Sequence, residues 1–131
     1  MERRAPLRIV GRWESPRRAG RRVDVVGESQ YQATLDELAG GKRRESQYIS
    51  TNAELWREPD NPHDPNAVQV RIGGRLVGYL PRLEAERLAA RMDAAGEQAV
   101  PCAAEIRGGW RDGSDEGHYG VVVWLPRARM G

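Results

Sequence analysis

The 131-residue chain contains no phenylalanine, a single cysteine and a single lysine. One cysteine, Cys102, excludes an intramolecular disulfide and a paired-cysteine metal site, which fits a reducing compartment. No stretch approaches the roughly 18 apolar residues that a membrane span needs, and the N-terminal segment lacks the apolar run of a secretory signal. We therefore expect a soluble, cytoplasmic protein that makes no membrane contact.

A strong excess of charge of one sign is also absent, because the net charge is only +2. Residues 1–22 nevertheless hold eight arginines against Glu2 and Glu14, a net +6, which leaves −4 for the other 109 residues. This distribution predicts a basic, flexible arm at 1–22, a mildly acidic domain at 23–126 and a short tail at 127–131. It also predicts that the domain itself has no basic groove.

The apolar periodicity predicts a mainly β domain with the element order β-α-β-β-β-α-β-β. A first strand begins at Val23, and Ser29 and Gln32 have the spacing of a capping box before a helix that stops at Gly40. The clearest signal is a hairpin in which strands at 68–72 and 76–80 flank a two-residue glycine turn. The remaining elements are a strand at 53–57, a helix at 81–95 and strands at 100–106 and 120–125, the last two separated by a long polar loop.

Catalytic motifs are missing from the sequence: it has neither a GxSxG nucleophile turn nor a GxxxxGK[ST] phosphate loop. We therefore expect a protein that is not an enzyme and that needs no cofactor or metal.

The densest polar segment is EPDNPHDPNAV at 58–68, where three prolines stiffen a loop between two strands. Such a loop can hold a precise hydrogen-bonding pocket. Its Asp and Asn side chains can equally serve as turn formers that bond their own backbone. A third interpretation, a metal site at Asp60, His63 and Asp64, lacks a recognisable ligand spacing.

Three blocks of sequence, VVGESQYQ (25–32), REPDNPHDPNAVQV (57–70) and VGYLPR (77–82), together resemble the HIRAN domain. This small module occurs alone in bacteria and fused to DNA-remodelling helicases in eukaryotes, and the chain resembles the stand-alone bacterial type. The resemblance runs from about Val23 to Leu125. It implies a small six-stranded OB-like β-barrel with two flanking α-helices, and a function in binding single-stranded DNA at a free 3′-hydroxyl end.

The resemblance also implies a pocket built from residues of all three blocks. Asp64 would accept a hydrogen bond from the sugar hydroxyl and would repel a 3′-phosphate, while Asn61 would bond the sugar or a base edge. Unpaired bases would stack on aromatic rings, and arginine would neutralise a phosphate. The predicted nucleic-acid-binding residues are Tyr31, Asn61, His63, Asp64, Tyr79 and Arg82, with Arg57 as a second phosphate contact. Core packing is the alternative for both tyrosines, and simple solvation is the alternative for Arg57.

This sequence departs from the helicase-linked members at two points. His63 stands where they have an aromatic residue, and Ser29-Gln30 replaces a basic-aromatic pair, so we expect weaker stacking and phosphate contacts. The leading hypothesis is a non-catalytic single-stranded DNA-binding module of DNA repair or stalled-replication processing, with repair or helicase proteins as further partners. One alternative is a protein-interaction or regulatory module that has lost DNA binding. The other is a metal-dependent nuclease built on Asp60, His63 and Asp64.

Overall fold

The structure, a computed structural model, describes residues 20–126. Most of the predicted arm and all of the predicted tail lie outside that range, whereas Arg21 and Arg22 begin the first strand. The observed order β-α-β-β-β-α-β-β confirms the prediction. The strands are β1 (Arg21–Asp24), β2 (Gln47–Arg57), β3 (Val68–Ile72), β4 (Arg75–Tyr79), β5 (Ala99–Asp112) and β6 (Asp115–Leu125); the helices are α1 (Gln32–Ala39) and α2 (Arg82–Ala95), and a 3₁₀ turn (Glu28–Tyr31) precedes α1.

The six strands form one antiparallel sheet in the order β1-β6-β5-β2-β3-β4. The two edges of this sheet meet just beyond β1, where Val26 and Tyr79 exchange two backbone hydrogen bonds of 2.9 Å. The sheet is therefore curled into a partly closed barrel, which satisfies edge groups that an open sheet would leave unpaired. This architecture confirms the mainly β, OB-like fold class with two helices.

The closure requires a glycine at position 78. A Cβ atom there would lie 2.5 Å from Cγ1 of Val25 and 2.7 Å from the carbonyl oxygen of Val26. Both distances are far shorter than carbon and oxygen atoms tolerate, so only a residue without a side chain lets the segment after β1 approach β4. The glycine in the VGYLPR block is thus explained by packing.

The core lies inside the curled sheet and beneath α2. The predicted alternation in β3 is confirmed, because Val68, Val70 and Ile72 are fully buried. Helix α2 buries one apolar face, which consists of Leu88, Met92 and the alanines at 85 and 89. The turn between β3 and β4 has two glycines with positive φ, as a two-residue turn of type I′ requires.

The predicted start of β2, end of β5 and start of β6 are wrong, because sheet pairing extends polar segments into strands. Strand β2 begins at Gln47, six residues before the predicted start, since the buried Gln47 amide donates to the carbonyl oxygens of Gly41 at 3.1 Å and Gly109 at 2.7 Å. The predicted long polar loop is a continuous hairpin of β5 and β6. The Trp110 ring covers Gly117 on the neighbouring strand, which protects a glycine-rich ladder that the sequence pattern hides.

The predicted capping box is also wrong. Ser29 lies within the 3₁₀ turn, and α1 begins at Gln32 without a side-chain cap. The Gln32 amide instead reaches β6, where Nε2 donates to the carbonyl oxygen of Tyr119 at 2.9 Å and Oε1 accepts from the Tyr119 backbone N–H at 2.8 Å. This tertiary contact uses both ends of the amide, so the local capping bond does not form.

Candidate nucleic-acid interface

The loop between β2 and β3, residues 58–67, is held by hydrogen bonds of its own Asp and Asn side chains. Oδ1 of Asn61 accepts from the backbone N–H groups of His63 at 2.8 Å and Asp64 at 3.1 Å. Oδ1 of Asp64 accepts from the N–H of Asn66 at 2.9 Å. The turn-forming interpretation of these residues is therefore confirmed, and it is compatible with a binding role because a preorganised loop loses less entropy on binding.

Glu58 connects this loop to the neighbouring strands through three hydrogen bonds. Its Oε2 accepts from Nδ2 of Asn61 at 2.7 Å, and its Oε1 accepts from Nε2 of Gln69 at 2.5 Å and from the Tyr79 hydroxyl at 2.8 Å. One carboxylate thus ties together the end of β2, the loop, β3 and β4. Two of the predicted site residues, Asn61 and Tyr79, are positioned through it.

The electrostatics of Glu58 follow from these contacts. Burial alone would raise the pKa of Glu58, but the hydrogen bonds from Gln69, Tyr79 and Asn61, together with the charge of Arg71, lower it below its usual 4.5. Conversely, burial first, and then the hydrogen bond to Glu58 and its charge, raise the pKa of Tyr79 to about 12. Glu58 is consequently ionised and Tyr79 protonated at neutral pH, so the hydroxyl donates and the carboxylate accepts.

Tyr31 and Tyr79 lie near each other on the two sides of the barrel closure. Tyr31 ends the 3₁₀ turn and is only partly buried, so it is not a core residue. It contributes to the raised pKa of Tyr79, which is also partly exposed. Because the Tyr79 hydroxyl is already bonded to Glu58, the part of Tyr79 that a ligand can use is the face of its ring.

Asp64 and Arg82 bring opposite charges to the same place. Oδ2 of Asp64 lies 3.8 Å from Nε of Arg82, an ion-pair distance that is too long for a hydrogen bond. The Asp64 side chain is 21% exposed and the Arg82 side chain 83% exposed. Within residues 20–126 no hydrogen bond reaches Oδ2 of Asp64, so this oxygen remains an acceptor for a ligand hydroxyl.

Two polar residues of the loop face solvent. His63 and Asp60 are exposed. Among residues 20–126, no group of three or more His, Cys, Asp and Glu side chains is arranged to hold a metal ion. In the same part of the chain, no helix is long and apolar enough to cross a membrane.

Arg57 does not have the predicted role of a phosphate contact, and it is not solvated either. Its side chain is only 7% exposed and forms a two-point ion pair with Asp93 of α2, at 2.9 Å and 3.2 Å. Its NH1 group also donates to the carbonyl oxygens of Pro65 and Ala67, both at 3.1 Å. Arg57 therefore fastens the loop to α2, and the arginine of the second sequence block is structural.

Sequence reasoning missed the residues that organise the site, which are Glu58, Gln69 and Arg71. Nε of Arg71 donates to Oε1 of Gln69 at 2.8 Å, and the Arg71 guanidinium lies 4.4 Å from the centre of the Trp56 ring. The available signal was the alternation of β3, which puts Gln69 and Arg71 on the face opposite its buried valines. That alternation does not indicate that Glu58, on the neighbouring strand end, meets them.

Comparisons with known proteins found a family and a solved structure to which this chain is similar. The family model of the HIRAN domain matches residues 22–105. Among solved structures, the chain is similar to the HIRAN domain of human HLTF, with 24% sequence identity, a TM-score of 0.40, and coverage of 78% of this chain and 71% of that chain. No curated protein matches.

The curled six-stranded sheet, with a preorganised polar loop beside two partly exposed tyrosines, defines a small barrel-like binding module. The chain belongs to the HIRAN family, because the family model covers well over half of its residues. HIRAN domains are DNA-binding modules, and DNA binding is accordingly the general function of this protein.

Proposed function

We propose that the protein binds single-stranded DNA at a free 3′-hydroxyl end, with the terminal sugar at Asp64. The observation that carries the proposal is that Oδ2 of Asp64 accepts no hydrogen bond within residues 20–126 and has only the 3.8 Å ion pair with the exposed Arg82. A carboxylate accepts a hydrogen bond from a hydroxyl, and it repels a phosphate in the same position. Free 3′ ends arise where strands break or synthesis stalls, which places the proposed activity in DNA repair or in the processing of stalled replication.

In this proposal the neighbouring residues bind the last bases and the adjacent phosphate. The ring faces of Tyr79 and Tyr31 are the stacking surfaces for the last bases, worth about 1–3 kcal/mol per base. The guanidinium of Arg82 pairs with the adjacent phosphate, which competes with its long contact to Asp64. Asn61 contributes chiefly by shaping the loop, because its oxygen is fully used and only one hydrogen of its Nδ2 group is left for a ligand. His63, exposed on the loop, adds a further ring.

Fluorescence anisotropy with matched oligonucleotides tests the proposal. The ligands end in a 3′-hydroxyl, in a 3′-phosphate or in a blunt duplex end. The wild-type protein should bind the hydroxyl end most tightly. Asp64→Asn keeps an oxygen for the Asn66 N–H and removes the charge, so it should weaken the hydroxyl-ended ligand about tenfold, as expected for one charged hydrogen bond.

The matched control is Asp60→Asn, which removes the same charge from an exposed position of the same loop. It should leave the preference for the hydroxyl end unchanged. Equal affinity of the wild-type protein for all three ends would refute the proposal, and so would an equal effect of both aspartate variants.

A further inference from the structure

A second charged surface lies away from the polar loop, where the chain leaves α1 and meets the far end of β5. Lys42, Arg43, Arg44 and Arg111 line a cavity of about 490 Å³ together with Asp36. The backbone fixes this arrangement, because the Arg43 N–H donates to the carbonyl oxygen of Gly109 at 3.0 Å and the Arg111 N–H donates to that of Arg43 at 2.7 Å. We refer to these four basic residues as the basic cradle. The sequence predicted no basic groove on the domain, because summed charges do not reveal which residues meet.

One carboxylate from the opposite strand enters the basic cradle. Oε1 of Glu116, on β6, accepts from Nζ of Lys42 at 2.5 Å and from Arg111 NH2 at 3.1 Å. The hydrogen bonds from Lys42 and Arg111, followed by their charges, lower the pKa of Glu116 to about 2. The Glu116 side chain is nevertheless 45% exposed at the end of a hairpin, so it is held by charge rather than by burial.

The carboxylates near the basic cradle do not neutralise all of its positive charge. Asp36 accepts a hydrogen bond from the Tyr119 hydroxyl at 2.6 Å, and Asp112 lies 3.7 Å from Nε of Arg44. Four cations therefore face three carboxylates. If Glu116 moves out, Lys42 and Arg111 both present donors to the vacated position, which suits another anion with strong acceptor oxygens.

An exposed aromatic ring adjoins the basic cradle. Tyr48 is 69% exposed, and it lines a second cavity with Arg43 and Arg44. The Arg107 guanidinium lies 6.0 Å from the centre of the Tyr48 ring. Glu45 also lines that cavity. Basic side chains beside an exposed ring match single-stranded nucleic acid, which offers a phosphate and an unpaired base at each step. A small inorganic anion would not stack on the ring.

We propose that the basic cradle binds a backbone phosphate of single-stranded DNA and that the Glu116 carboxylate occupies the phosphate position in the unbound protein. The inference rests on the proposed function, since it extends the same strand away from its 3′ end. The 3₁₀ turn and α1 connect the two places, with Tyr31 at the start of this connection and Lys42 just after it. An eight-residue helix spans about 12 Å, so a strand that stacks on Tyr31 needs only a few nucleotides to reach Lys42.

Glu116→Gln is the decisive variant, because it predicts a gain of binding that a misfolded protein could not produce. It should raise the affinity for an oligonucleotide of about 16 nucleotides by about two- to fivefold and leave that for one of about 4 nucleotides unchanged. The double variant Lys42→Met/Arg111→Met should lower the affinity for the longer ligand. It should also reduce the slope of log affinity against log salt by about 0.7 for each phosphate that the protein no longer neutralises.

Glu37→Gln is the matched control, since Glu37 is also an exposed carboxylate paired with an arginine, Arg75, at 2.6 Å. It changes the net charge equally and should not alter binding. An equal gain in Glu37→Gln and Glu116→Gln would overturn the cradle in favour of a general charge effect. Inorganic phosphate is the last probe: if it binds the cradle as tightly as the longer oligonucleotide does, the site serves a free anion and the DNA proposal is wrong.

These results separate the two proposals. If the cradle proposal is wrong, the wild-type protein still prefers a 3′-hydroxyl end, and Glu116→Gln does not change the affinity for the longer oligonucleotide. If the 3′-end proposal is wrong, the wild-type protein shows no preference for a 3′-hydroxyl end, but Glu116→Gln still raises the affinity for the longer oligonucleotide.

Discussion

Two glutamates organise the two polar surfaces of this protein, and they do so with different partners. Glu58 accepts hydrogen bonds from three neutral groups, those of Asn61, Gln69 and Tyr79. Glu116 accepts from two cations, Lys42 and Arg111. In both places the donors lower the pKa of the carboxyl group.

The difference lies in what each carboxylate leaves for a ligand. The three donors to Glu58 are neutral, and Arg71 acts on it through its charge without donating to it. The carboxylate is therefore required to hold its donors, and a ligand cannot replace it without unpairing them. Around Glu116 the donors are charged, and any anion of similar shape satisfies them. Glu58 thus holds the structure of its surface together, whereas the Glu116 carboxylate can be replaced by an anionic ligand. Three predictions test that distinction.

The largest expected effect concerns Arg57, which fastens the loop of Glu58 to α2. Arg57→Met leaves the carbonyl oxygen of Pro65 without its donor, leaves that of Ala67 with only the Glu58 N–H, and unpairs Asp93. We therefore expect a loss of about 3 kcal/mol in the free energy of unfolding. Urea denaturation measures it. Arg111→Met, which breaks the exposed pair in the basic cradle, should shift the midpoint very little. Similar losses in both variants would show that the two surfaces are equally structural.

A smaller effect is expected from Glu58→Gln. The amide still accepts from Tyr79, but its Nε2 group meets a donor where the carboxylate had an acceptor, so we expect a loss of about 1–2 kcal/mol at neutral pH. Because the folded pKa of Glu58 lies below 4.5, its contribution is present above pH 4.5 and is lost as the pH falls through the folded pKa. The free energy of unfolding of the variant should therefore fall less steeply with decreasing pH than that of the wild-type protein. A free energy of unfolding that falls as steeply with decreasing pH in the variant as in the wild-type protein would contradict this explanation.

The smallest effect concerns the alkaline side and Tyr79. Its folded pKa of about 12 lies above the ordinary 10.0, chiefly through burial. Its stabilising contribution is therefore complete below pH 10 and disappears as the pH rises through 12. Tyr79→Phe should make the unfolding free energy less steep between those values, with Tyr119 still titrating in both proteins. Identical slopes would mean that Tyr79 ionises as freely in the folded state as in the unfolded state.

The sequence predicted the element order and most of the core because those features depend on local periodicity. The valines of β3 and the apolar face of α2 are each visible within one short window. Gln47 and Trp110 were missed as strand residues, since their contacts are with other segments. The buried Gln47 amide bonds to Gly109, and the partly buried Trp110 ring covers Gly117 on the neighbouring strand. The capping signal at Ser29 was misleading because Gln32 finds a better partner on β6.

The same division applies to the candidate site. The three sequence blocks pointed to the polar loop, and Asn61, Asp64, Tyr79 and Arg82 do come together at the barrel closure, with Tyr31 beside them. Arg57 was assigned the wrong role, since a sequence does not show which arginine is buried. Glu58 was passed over because its three donors come from three different segments.

By itself, the sequence determined the mainly β fold, its two helices and the uneven distribution of charge, because residue type and spacing along the chain fix those features. The tertiary structure alone decided which carboxylates face neutral donors and which face cations. It also decided that four basic residues of an acidic domain share one cavity. The physical reason is that hydrogen bonding and electrostatics depend on distances of a few ångströms, and such distances are set only when the curled sheet brings distant segments together.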